Sequence, residues 1–377
     1  MRTKAAIIRE PKQDAWEIVE VDIDDPVAGE VQVKLAASGL CHSDEHLLTG
    51  DLVFEKYPLM GGHEGAGVVT KVGEGVIGLS EGDHVVLAFI PACGTCRPCA
   101  EGLQNLCDNG AGLLSGKAIS DDGFRVHTAA GEDVGTMCLL GTFAPYVTVH
   151  QSSVVKIEKD IPLDKAALLG CGVATGWGSA TEIGRAREGD VVVVVGVGGI
   201  GTNSVQGAAS AGARAIVAVD PVEFKREKAL EFGATHTCSS MDEAMALVGE
   251  ISWGRMADLV ILTMGVVEGK DLLPGLLLTG KGRRCVVVGL GDMTAVDAQV
   301  SILDLAMQQK TLQGAIFGGV GPRKQIPHLL HQYRAGNLKL DELVTRTYRL
   351  EDINQGYQDM RDGKNIRGVI IYDEQDW

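Results

Sequence analysis

The sequence predicts an α/β protein of two domains, one N-terminal and β-rich, the other a doubly wound parallel sheet. Three observations predict it. The chain has 377 residues, more than a single hydrophobic core usually serves, so two domains are expected. Its early segments are short, alternating and punctuated by glycine, as half-buried strands are. Beyond residue 173, continuous apolar runs alternate with helix-compatible stretches. That is the pattern of βαβ units around a sheet buried on both faces.

Each element follows in order. "VQVKLAASG" alternates, "GAGVVTKVG" is a strand running into a glycine turn, and "GDHVVLAF" is a turn followed by a strand. Residues 100 to 140 are glycine-rich and read as a long irregular loop. "FAPYVTVHQSSVVKI" returns to strand. "DVVVVVG" (190–196) is the first fully buried strand, "GGIGTNSVQGAASAGA" a helix of small residues, and "AIVAVD" the next strand. "PVEFKREKALEFGA" reads as an amphipathic helix ending at Gly233; "ADLVILTMG" and "RRCVVVGLG" add two buried strands. The last sixty residues are mixed and end in the strand "IRGVIIYD". The expected division is residues 1–173 with 315–377, and 174–314 as the parallel-sheet domain.

Composition narrows the function. With 45% hydrophobic and 22% charged residues the chain is that of a soluble globular protein. Net charge is −16, with no basic run, so neither nucleic acid nor an anionic membrane is an expected partner. The start, "MRTKAAIIREPKQD", has no apolar signal segment, and no stretch approaches the roughly 18 apolar residues of a membrane span. A cytoplasmic location is expected, where clustered cysteines serve as metal ligands or catalytic groups rather than disulfides.

Two motifs carry chemistry. "GVGGIG" (196–201) follows a strand, opens a helix, and precedes Asp220 at the end of the next strand. That is a dinucleotide fingerprint. Gly196 permits the turn, Gly198 lets backbone approach a pyrophosphate, and Gly201 allows helix to pack on strand. Asp220 would take the adenosine ribose hydroxyls and repel a 2′-phosphate, favouring NAD. The second motif is Cys93, Cys96, Cys99 and Cys107, spaced C-x2-C-x2-C-x7-C (lobe 91–108). Four thiolates fill zinc's tetrahedral shell and leave no open position, so such a site is structural. The spacing does not exclude an iron–sulfur cluster.

Cys41, His63 with Glu64, and Cys171 lie in or beside three separate glycine-rich turns. Spacing does not join them. Taken together, two thiols and an imidazole form the N/S set of a catalytic zinc with one position open.

With these residues the chain resembles the zinc-dependent medium-chain alcohol dehydrogenases. "CHSDEH", "GGHEGAGVV", the four-cysteine spacing, "GCGVATGWGSA", "GVGGIG", "VAVD" and "NIRGVIIY" occur in that family's order, over essentially the whole chain. "GDHVVLAFIPACGTCRPC" and "LDELVTRTYRLEDINQGYQDMRDGKNIRG" resemble one branch, the actinobacterial nicotinoprotein enzymes assayed with N,N-dimethyl-4-nitrosoaniline. The resemblance implies a GroES-like catalytic domain and a Rossmann domain. It implies two Zn²⁺ per chain: a catalytic ion on Cys41, His63 and Cys171, whose Cys2His set is the one known for this family, and a structural ion on the four clustered cysteines. Glu64 is implied beside the catalytic zinc, Asp44 behind the zinc-bound histidine, and Ser43 and His46 in a proton relay. Cofactor contacts fall on His42, Thr175, Gly196, Gly198, Gly199, Ile200, Gly201, Asp220, Lys225, Val288 and Arg367. Many relatives carry Arg where His42 stands. Leu52, Phe89 and Phe143 match the substrate pocket, and Gly112 stands where some relatives carry a bulkier residue, implying a roomier one. Cys138, Cys238 and Cys285 match no motif and read as core.

The implied reaction is hydride transfer between a primary alcohol and NAD, with the hydroxyl proton leaving through Ser43, the nicotinamide ribose and His46. In the nicotinoprotein branch NAD is tightly bound and reoxidised in place by another electron acceptor. A homo-oligomer is expected. Three other readings stay open: exchangeable NAD, a formaldehyde dehydrogenase acting on thiol adducts, and a non-catalytic zinc and nucleotide redox sensor. A proton relay has no use in the last.

Overall fold

The computed structural model describes residues 1–376. The chain forms two compact units: Met1–Cys171 with Gly321–His331 and Leu340–Trp377, and Gly172–Val320 with Gln332–Lys339.

In the first unit, Arg2–Ile8, Glu17–Ile23, Val126–Thr128, Asp133–Thr136 and Leu59–Met60 close a small barrel. A larger sheet runs in the order Val154–Ile157, His84–Leu87, Gly65–Val72, Glu30–Leu40, Arg367–Ile371, Val344–Tyr348, with Tyr146–His150 also paired to Glu30–Leu40. The central strand Glu30–Leu40 is buried along nearly its whole length. The C-terminal strand joins it antiparallel, Gly368 opposite Leu40. Arg367 is thereby carried beside the residues that follow Leu40.

The stretch 100–140 is not the uninterrupted loop expected. It contains two barrel strands, Val126–Thr128 and Asp133–Thr136, joined by a turn at Gly131, whose N–H donates to Thr128 O at 2.8 Å. Strands of three and four residues are too short to show an alternation. "FAPYVTVHQSSVVKI" likewise breaks into two strands around Gln151–Ser153.

The second unit holds a six-stranded parallel sheet: His236–Cys238, Ala215–Val219, Val191–Val195, Ala257–Leu262, Thr279–Val287, Thr311–Gly314. In chain order this is 3-2-1-4-5-6, the arrangement of a Rossmann fold. All five residues of Val191–Val195 are buried, between parallel partners on both sides. Sheet order reverses between this strand and Ala257–Leu262, so the switch point lies at the loops that follow them. Those loops are the glycine motif and the segment from Thr263. Among the described residues no helix is long and apolar enough to cross a membrane.

Candidate metal centres and nucleotide loop

Three chain reversals build a buried cluster in the first unit. Cys41 follows the central strand and caps the start of the helix His42–Thr49. His63 and Glu64 sit in the short link before Gly65–Val72, and Cys171 follows the helical turn Ala167–Gly170. Donor atoms of Cys41, His63, Glu64 and Cys171 all lie within 4.8 Å of one another, and all four residues are buried. The backbone is fixed around them. Glu64 O accepts from Gly39 N at 3.0 Å, Ser38 Oγ at 3.0 Å and Thr142 Oγ1 at 3.2 Å. Phe89 N donates to Gly170 O at 3.4 Å, beside Cys171.

Charge is organised around the cluster. Asp44 Oδ1 accepts from Gly62 N at 2.8 Å and lies 3.3 Å from His63 Nδ1. With Nδ1 so engaged, the buried Nε2 has no hydrogen-bond partner in the protein. An orphaned ring nitrogen facing two thiols and a carboxylate suits a metal ion, the carboxylate orienting the ligating imidazole from behind. Burial opposes the His63 charge, but Asp44 and Cys41 outweigh it and hold the imidazole well above its usual range. A hydrogen bond from Cys171 holds Cys41 well below the ordinary thiol value, while that same bond and burial push Cys171 up. Burial pushes Glu64 up, against the pull of Arg367, which forms a buried ion pair with it. Arg367 also donates to Leu40 O at 3.1 Å.

The other candidates near the cluster take different places. Cys41 Sγ and Ser43 Oγ are 3.8 Å apart. His46 is buried, with Nδ1 3.0 Å from Asp51 Oδ2. His42 is exposed, its ring 5.3 Å from that of His46. Phe89 stands edge-on to His63 at 5.8 Å, and it and Leu52 are partly buried against the unit's main core. Phe143 is fully buried, T-shaped on Trp16 at 5.2 Å and 6.4 Å from Tyr357. Gly112 ends a short helical turn, with Ser115 and Leu139 side chains as its neighbours. Cys138 lies in the same core.

The four-cysteine lobe also converges. Its sulfurs lie within 4.8 Å of one another, with Cys93–Cys99 at 3.9 Å and Cys96–Cys107 at 3.8 Å. Backbone N–H groups point at them: Thr95 and Cys96 donate to Cys93 Sγ at 3.4 and 3.3 Å, Cys93 to Cys107 Sγ at 3.3 Å, and Asp108 to Cys96 Sγ at 3.4 Å. Such donors stabilise thiolates. Burial opposes it, yet the Thr95 and Cys96 donors bring Cys93 down to about 6; burial pushes Cys107 up to about 12.

In the second unit the glycine motif lies at the switch point, with Asp220 bonded to it. Gly198 caps the helix Gly199–Ser210, which includes Ile200 and Gly201. A Cβ on Gly201 would lie 1.9 Å from Gly196 O, whereas one on Gly198 would meet nothing within 4 Å. One glycine serves packing and the other leaves backbone open to a ligand. Asp220 binds the same loop, accepting from Val197 N at 3.0 Å and Val222 N at 2.9 Å. Lys225 lies on the helix Glu223–Glu231 after it. Val288 follows Thr279–Val287, its N–H on Leu262 O at 3.0 Å. Thr175 is buried in the helix Gly172–Gly178, its hydroxyl without a partner. Cys238 and Cys285 are core.

Sequence reasoning missed four residues. Thr263 Oγ1 donates to Gly196 O at 2.6 Å, and Arg226 to Asp220 O at 2.7 Å. Asp51 meets His46. Tyr357 is fully buried, with the Asp44 carboxylate among the groups acting on its hydroxyl. A polar residue interrupting the third buried run, "ADLVILTMG", is a signal that finds Thr263; the other three carry no motif.

A chain with both a buried thiol–imidazole cluster and a dinucleotide loop has the equipment of a metal-dependent dehydrogenase. Comparison with known proteins agrees. Residues 27–159 match the alcohol dehydrogenase GroES-like domain and residues 199–334 the zinc-binding dehydrogenase family. The chain is 50% identical over 376 residues to alcohol dehydrogenase B of Mycobacterium tuberculosis, covering 100% of both. It is 51% identical over 372 residues to the NDMA-dependent alcohol dehydrogenase of Amycolatopsis methanolica, covering 99% of both. The crystal structure of benzyl alcohol dehydrogenase from Acinetobacter calcoaceticus superimposes with a TM-score of 0.90 at 29% identity, over 99% of this chain and 100% of that one. The chain belongs to the zinc-type medium-chain alcohol dehydrogenases.

Proposed function

We propose that the protein oxidises primary alcohols to aldehydes, or runs the reverse, with NAD as hydride acceptor, and that NAD stays tightly bound and is reoxidised in place by another electron acceptor. The carrying observation is the convergence of Cys41, His63, Glu64 and Cys171 within 4.8 Å, in a chain that also bears the dinucleotide loop. The 51% identity to an NDMA-dependent enzyme supports the tightly held cofactor. The reading extends to a cytoplasmic homo-oligomer acting on small alcohols.

Cys41, His63 and Cys171 would hold one zinc, and Cys93, Cys96, Cys99 and Cys107 a second that is structural. Bound zinc supplies Lewis-acid polarisation of a hydroxyl oxygen, and bound NAD supplies the hydride acceptor. The protein's own residues do the rest. Asp44 fixes the His63 ring through Nδ1. Arg367 balances Glu64 and would meet the cofactor pyrophosphate, as would His42. Ser43 would begin the relay of the hydroxyl proton and His46 would end it. Leu52 and Phe89 would wall the alcohol, with Phe143 in the core cluster they pack against. Asp220, with Lys225, would hold the adenosine ribose; Gly199, Ile200, Thr175 and Val288 would line the nucleotide.

Denaturing extraction of freshly purified protein tests this. Two zincs and one nicotinamide per chain are expected. Retained iron would overturn the lobe assignment. Loss of nicotinamide on purification, with added NAD sustaining many turnovers and no other acceptor, would overturn the tight-binding part.

A further inference from the structure

The helix His42–Thr49 ends at Gly50, which adopts the left-handed conformation with φ of 81°. The chain then folds back over the last turn: His46 O accepts from Gly50 N at 3.0 Å and from Leu52 N at 3.2 Å. Asp51 lies between those two anchors. Its carboxylate Oδ2 is 3.0 Å from His46 Nδ1 and accepts from Thr49 Oγ1 at 2.6 Å. The imidazole is only 3% exposed, whereas the Asp51 side chain is 27% exposed. A carboxylate thus stands on the solvent side of a buried histidine, and the hydrogen bonds from Thr49 and His46 hold it below the usual carboxylate range.

We propose that Asp51 is a positioning residue for His46: it keeps the ring proton on Nδ1, so that Nε2 is the atom that accepts the alcohol proton. The proposal rests on the proton-relay reading of Ser43 and His46. An acceptor-only carboxylate selects the Nδ1–H tautomer, because the other tautomer would set a lone pair against its charge. The same device orients the histidine of a Ser–His–Asp triad. The proton released by the alcohol hydroxyl enters the relay at Ser43 and ends on His46 Nε2. The imidazolium formed is balanced by the Asp51 carboxylate, which stays ionised. His46 later releases one proton to water at the exposed edge of Asp51.

Two measurements test the proposal. The first is the His46 tautomer, read from ring-nitrogen chemical shifts in histidine-labelled protein and assigned with the His46→Gln variant. Nδ1–H is expected; Nε2–H overturns the proposal, whether or not any Asp51 variant folds. The second is single-turnover reduction of nicotinamide by a primary alcohol that the wild type oxidises, with NAD added in excess. Asp51→Asn should slow it about tenfold or more with little change in KM, and Asp51→Glu should restore most of the rate. If His46→Gln slows the step and Asp51→Asn does not, the proposal falls while the relay stands. If neither slows it, the relay reading falls as well.

Discussion

Arg367 and Glu64 form a buried pair, 303 positions apart in sequence, and both side chains are almost wholly shut off from solvent. Removing one partner of such a pair strands a charge in a low dielectric. Arg367→Met should therefore cost about 3–5 kcal/mol of stability, measured by urea denaturation. The double variant with Glu64→Gln should recover part of that loss, because the stranded charge is gone; an additive double variant would contradict the pairing argument. At this scale the candidate site was only partly legible in sequence. Cys41, His63 and Cys171 are individually unremarkable, and no spacing joins them; resemblance did. Asp51 and Tyr357 were invisible: no motif marks the turn that sets Asp51 against His46, and Tyr357 comes near Asp44 only through the fold. Phe143 matches a pocket position by resemblance, yet its surroundings in the fold are the rings of Trp16 and Tyr357.

Elements were more legible where they are long and apolar. "DVVVVVG" and "AIVAVD" read as strands because burial on both faces demands uninterrupted apolar side chains. The short barrel strands in 100–140 did not, because pairing with distant partners, such as Val126 with Ile23, forms them rather than local propensity. The strand–turn–helix at the glycine loop yields a prediction that separates packing from binding. Gly201→Ala puts a methyl 1.9 Å from Gly196 O, so it should destabilise the second unit by about 1–3 kcal/mol, seen in thermal denaturation. Gly198→Ala meets nothing within 4 Å and should keep the melting temperature while weakening NAD binding, read by titration. If the two variants behaved alike, the division of roles between the glycines would be wrong.

For the molecule as a whole, alternating strands and helices announced the parallel sheet, and the final strand "IRGVIIYD" was expected back in the first unit, but not its pairing with the central strand Glu30–Leu40. That pairing decides the site, since it sets Arg367 next to Glu64 and Leu40 O. The conspicuous four-cysteine motif and the dispersed Cys41, His63 and Cys171 are two converged centres with opposite expected roles. One would be a closed thiolate shell that holds a lobe together; the other would carry the chemistry. The most direct test compares Cys41→Ala with Cys99→Ala, measuring zinc per chain, melting temperature and alcohol-dependent nicotinamide reduction. Cys41→Ala should fold with a near-native melting temperature, hold one zinc fewer and lose oxidation. Cys99→Ala should also lose a zinc, but through a lowered melting temperature, with activity falling only as the protein unfolds. A folded Cys41→Ala protein that oxidises alcohol at the full rate, or a fully stable Cys99→Ala protein with no activity, would contradict the account.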